Sequence, residues 1–74
     1  MDFVIERGAQ PCPIEVKYAS FHKPVIGRSL RSFIEHYHPE HAYIITKDYT
    51  HEMIIAATTV HFMPFYEIYH MQLK

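Results

Sequence analysis

Cysteine is nearly absent from this chain. Cys12 is its single cysteine among 74 residues, so no disulfide can close within it. That excludes a small scaffold held together by its own disulfides, and it makes a reducing cytoplasm the expected setting. Long apolar runs are missing as well. The longest, Met53-Ile54-Ile55-Ala56-Ala57, is far too short to span a bilayer, so no membrane association is expected. The opening Met1-Asp2-Phe3-Val4-Ile5-Glu6-Arg7 carries neither a basic n-region nor an apolar h-region, so no signal peptide is expected there. An excess of positive charge is also lacking. The net charge is -1 and the pI about 6.6, which provides no global attraction to nucleic acid. Any such binding would depend on the modest cluster of Lys23, Arg28 and Arg31, strengthened near pH 6 by the seven histidines.

What the chain does have is apolar substance. Hydrophobic residues make up 49% and charged residues 20%, the balance of a folded domain and not of a disordered tail. The length allows one domain, spanning residues 1–74. A chain of this size buries only about 60% of the surface it exposes when unfolded. Small scaffolds therefore enlist a metal or a partner subunit, and a homo-oligomer or attachment to a larger protein is expected here. Six tyrosines and five phenylalanines can serve a core or an interface.

Residues 2–7 alternate as a strand, and Gly8-Ala9-Gln10-Pro11 punctuates it as a turn. Cys12 to Tyr18 reads as a second strand, which makes a hairpin. Pro11 and Pro13 fall where that strand begins, a position that tolerates proline. Ala19 to Gly27 reads as a loop. Ser29 then offers an N-cap, and Leu30, Phe33, Ile34 and Tyr37 follow the spacing of one helical face until Pro39 ends it. Ala42-Tyr43-Ile44-Ile45-Thr46 is continuously β-prone, as in a strand covered on both faces. A strand-helix-strand unit of this length implies a right-handed crossover and a parallel pair. Lys47 to Glu52 reads as a polar loop, Met53 to Ala57 fits no single element, and Thr58 to Met63 reads as a last strand. After Pro64, Phe65 to Leu73 suits a short amphipathic helix. The expected fold is a small α/β domain: a mixed four-stranded sheet, one clear helix and a C-terminal helical segment.

Within it, Pro13-Ile14-Glu15-Val16-Lys17-Tyr18 carries the chemistry. Side chains alternate along a strand, so Ile14 and Val16 should enter the core while Glu15 and Lys17 share the other face. A carboxylate and an ammonium so placed, with Asp2 on the adjacent strand, have the makings of a divalent-metal site that activates water. The plainer alternative is a solvated charged strand.

Five segments carry a resemblance. They are Asp2-Phe3-Val4-Ile5-Glu6-Arg7-Gly8, Pro13-Ile14-Glu15-Val16-Lys17, Ser29-Leu30-Arg31-Ser32-Phe33-Ile34-Glu35, Ala42-Tyr43-Ile44-Ile45 and Val60-His61-Phe62-Met63-Pro64-Phe65-Tyr66. Together, and nearly end to end, the chain resembles the C-terminal domain of unknown function found in predicted prokaryotic AAA-type ATPases. That domain in turn resembles the PD-(D/E)XK restriction-endonuclease-like fold. The resemblance implies that Asp2 and Glu15 bind magnesium and that Lys17 orients or activates the attacking water. Magnesium takes oxygen ligands and lowers the pKa of a bound water, and a neighbouring lysine stabilises charge on a phosphate. The implied activity is a weak or vestigial phosphodiester hydrolysis, with a non-enzymatic accessory or oligomerisation module as the alternative. Neither Gly-Lys-Ser nor Gly-Lys-Thr occurs and only two glycines are present, so no ATPase phosphate loop is expected. Asp2 directly follows Met1, without the upstream helix of many such nucleases, and the sequence is expected to be the tail of a longer protein.

Other clusters invite plainer readings. His36, His38 and His41 straddle a helix end and Pro39 and lack a fourth metal ligand at a diagnostic spacing, so a solvated helix terminus is expected. His22, His51, His61 and His70 are scattered and read as surface or rim residues. Cys12 reads as a small buried apolar side chain. Tyr66, Tyr69 and Met71 read as a partner-contact stripe.

Overall fold

A computed structural model describes residues 3–7, 10–18 and 22–70. Its first two strands, β1 (Phe3–Arg7) and β2 (Gln10–Val16), pair antiparallel with Val4 opposite Pro13 and Ile5 opposite Cys12. The expected hairpin is therefore present, and both prolines lie inside β2 instead of at its threshold. β2 pairs with its other neighbour only from Ile14 onward. Pro11 and Pro13, which have no N–H, thus sit where β2 has β1 alone beside it.

Helix α1 (Arg28–Tyr37) follows. Its N-cap is Gly27 and not Ser29: the Arg31 amide donates to the Gly27 carbonyl at 3.1 Å. The helix leaves through His38 in the left-handed conformation, whose amide donates to the Ile34 carbonyl at 2.9 Å, and Pro39 forbids a further turn. Of the apolar stripe, Leu30 and Ile34 are fully buried, Phe33 is half-buried, and Tyr37 lies exposed with its ring 4.5 Å from that of Phe33.

β3 (His41–Thr46), β4 (His51–Ile55) and β5 (Thr58–Pro64) complete a five-stranded mixed sheet of order β1-β2-β3-β5-β4. β2, β3 and β5 are mutually parallel, and the two outer strands run antiparallel to their neighbours. The expected parallel pair across α1 is β2 with β3. The expected count of four strands is one too few. β4 forms from residues that read as loop and as an ambiguous run, and it joins β5 through Ala56-Ala57, both at positive φ (49° and 70°). A two-residue turn with both φ positive is the hairpin type that matches strand twist, and it normally announces itself with Asn or Gly. Phe65–His70 is a 3-10 helix, not an α-helix, and residues 71–74 lie outside the described residues.

α1 packs on one sheet face. Leu30 and Ile34 meet Ala42 and Ile44 of β3 and Val60 and Phe62 of β5, with Ile26, Tyr49, Met53 and Ile55 at the margin. The alternation is strict along β5, where Thr58, Val60, Phe62 and Pro64 are all buried. β3 is covered on both faces over Ile44-Ile45-Thr46, as its composition implies. Two hydrogen bonds through the Thr46 hydroxyl shape the turn after it: the hydroxyl donates to the Tyr49 carbonyl at 2.8 Å and accepts from the Tyr49 amide at 2.9 Å. This sets the Tyr49 ring edge-on to Phe62, 5.5 Å between centroids.

Candidate functional site

β2 is buried on both sides through Cys12-Pro13-Ile14-Glu15, and Val16 ends it exposed. Ile14 is in the core as expected. Val16, expected beside it, is 44% exposed: it is the last residue of the strand, though it still pairs with Ile45 of β3. Glu15 and Lys17 do share a face, but it is the face α1 covers. Glu15 lies opposite Ile44 in the β2–β3 register. Its side chain is only 5% exposed, whereas that of Lys17 is 54% exposed. The Lys17 ammonium stands 3.6 Å from Glu15 Oε2, and its backbone amide continues the ladder by donating to the Ile45 carbonyl at 2.7 Å.

The carboxylate of Glu15 reaches the start of α1. A Cβ placed on Gly27 would stand 3.5 Å from Glu15 Oε2. The first turn of α1 has no acidic residue and Gly27 provides no side-chain cap. Glu15, brought in from the sheet, therefore places negative charge where the helix dipole favours it. A wholly solvated charged strand is not what the chain forms. Asp2, the other expected metal ligand, lies outside the described residues. Of the two acids of the expected magnesium site, Glu15 is the one that lies among the described residues. Among the described residues no three His, Cys, Asp or Glu side chains come together as a metal-binding group.

A second constellation occupies the opposite sheet face. His41 opens β3, and His61 lies on β5 opposite Tyr43 in the parallel register. His41 Nδ1 and His61 Nε2 approach to 3.0 Å. Glu52 of β4, paired with His61 across the antiparallel ladder, places Oε2 3.1 Å from His61 Nδ1. The Tyr43 ring stacks on His61 at 4.8 Å and 16°. Burial pushes the His61 imidazole below its ordinary pKa of 6.5, Glu52 pulls it upward and His41 pushes it further down. His61 is thus a half-buried member of a polar row and not a scattered rim residue. The expected grouping of His36, His38 and His41 dissolves: His36 lies in the last turn of α1, His38 caps it, and His41 turns to His61. No spacing could reveal this row, since its members lie on three strands. Of the expected contact stripe, Tyr66 is exposed, while the Tyr69 side chain and Met71 lie outside the described residues.

The family described as Domain of unknown function (DUF4143) matches residues 1–68. No curated protein and no solved structure matches the chain. The chain belongs to the DUF4143 family.

Proposed function

We propose that this member of the DUF4143 family is a restriction-endonuclease-like domain whose Asp2, Glu15 and Lys17 mark a weak or vestigial magnesium-dependent phosphodiesterase site, in a cytoplasmic prokaryotic protein associated with an AAA-type ATPase. The observation that carries it is the convergence of Glu15 and Lys17 on one face of β2 at 3.6 Å. The order hairpin, helix, parallel strand around this pair also supports the reading. Glu15 with Asp2 would hold the ion, and Lys17 would face the charge that builds on a phosphate oxygen. Magnesium, when bound, supplies a Lewis acid for the phosphoryl group.

One observation favours a second reading, a non-enzymatic accessory or oligomerisation module. The Glu15 side chain is 95% covered, being 5% exposed, and a metal ligand needs an edge that water and substrate can reach. Single- and double-stranded DNA and RNA incubated with the protein and magnesium or manganese, beside Glu15→Ala and Lys17→Ala, separates the two. Cleavage lost in both variants supports the nuclease, and equal background in all three sinks it. Light scattering tests self-association, which a stable monomer at micromolar concentration would refute.

A further inference from the structure

The row Glu52-His61-His41 has a defined protonation pattern. An ionised carboxylate only accepts, so the 3.1 Å contact places the proton of neutral His61 on Nδ1. His61 Nε2 is then a lone pair, and the 3.0 Å contact makes His41 Nδ1 the donor to it. Glu52 and the stacked Tyr43 ring hold His61 in place. His41 is exposed at the start of β3, and its ring is tilted 31° from that of His61. Shifting the His41 proton from Nδ1 to Nε2 costs no net charge and leaves two imidazole lone pairs facing one another.

We propose that His41 Nδ1 and His61 Nε2 form a two-imidazole site for a divalent transition-metal ion of the copper(II) or nickel(II) class, with Glu52 as the carboxylate that orients His61. Imidazole suits these ions, and a ligating histidine characteristically donates its other N–H to a carboxylate, which fixes the tautomer and raises ligand basicity. An ion on the line of the 3.0 Å contact would stand about 1.5 Å from each nitrogen, so the exposed His41 ring turns aside to admit metal–nitrogen bonds of about 2.0–2.1 Å. Among first-row divalent ions at such nitrogen donors, copper(II) binds tightest. No three candidate side chains converge among the described residues, so these contribute two donors, and water or an incoming ligand fills the other positions. This site lies on the sheet face away from Glu15 and Lys17 and stands independently of the nuclease reading.

Calorimetric titration of copper(II), nickel(II) and zinc(II) into the untagged 74-residue chain tests it, with the copper electron-paramagnetic-resonance spectrum reporting nitrogen ligands. The expected result is one site, copper(II) tightest, with hyperfine coupling from two nitrogens. His41→Gln and His61→Gln should each weaken copper binding by more than about tenfold, Glu52→Gln by about tenfold, and the paired control His36→Gln/His38→Gln not at all. His41 is exposed, so His41→Gln keeps the test valid should His61→Gln fail to fold. Copper affinity within about twofold of wild type in His41→Gln, or loss confined to the His36/His38 control, overturns the proposal.

Discussion

Thr58→Val removes one oxygen at the point where the exit from α1 is tied to β5. Thr58 is fully buried, and its hydroxyl donates to the Pro39 carbonyl at 2.6 Å. Beside it, the Thr59 amide donates to the Glu40 carbonyl at 2.9 Å. Together these bonds anchor the segment that leads into β3 against the first residues of β5. Valine keeps the β-branched shape and strand preference of threonine but puts a methyl against a buried carbonyl. Stranding a buried acceptor costs about 1–3 kcal/mol. A domain of this length holds about 4–11 kcal/mol in total, so the loss is a substantial fraction. At about 2 kcal/mol the melting temperature should fall by about 8–16 °C. Urea unfolding followed by circular dichroism should show a lower midpoint with an unchanged slope. Thr58→Ser, which keeps the hydroxyl and loses one methyl, should cost only about 1 kcal/mol. If Thr58→Val melts with the wild type, or Thr58→Ser is the more damaging, the hydrogen bond does not hold this junction.

Three further outcomes are expected. Replacing Ala56-Ala57 by Asn-Gly should raise stability by about 1–2 kcal/mol in the same urea assay, because both alanines sit at positive φ; no change would mean the turn is relaxed. Lys17→Ala should cost less than about 1 kcal/mol, since a half-exposed ammonium 3.6 Å from its partner is well screened; a larger loss in the urea midpoint would show that Lys17 neutralises Glu15. The His61 pKa lies below its unfolded 6.5, so the folded chain binds fewer protons than the unfolded one. The stability this contributes is present above pH 6.5 and is lost as pH falls below it. His61→Gln should flatten that part of the pH–stability curve, with His41 and Glu52 intact, and an unaltered slope would contradict the assignment.

Much of the scaffold was legible because local rules decided it. The helical spacing of Leu30 and Ile34 and the stop at Pro39 mark α1, and the β-branched run into Thr46 marks β3. The hairpin of β1 and β2 was visible for the same reason. β4 was not, because Ala56-Ala57 adopts a turn whose usual residues it lacks, and only the pairing of His51–Ile55 with residues 58–62 of β5 compensates for the strained φ angles. Ser29 was overruled as a cap by Gly27, beside which the Glu15 carboxylate comes in from the sheet.

The order of residues alone determined that Glu15 and Lys17 fall on one side of a strand, since alternation is a property of the extended backbone itself. Which side α1 would cover was a tertiary matter. It buried the carboxylate and left the ammonium half in water, so one pair holds two unlike environments. The approach of His41 to His61, 20 residues apart, likewise belongs to no local pattern. It arises because β3 and β5 lie side by side in parallel register, and a contact of that kind is created only when the sheet closes.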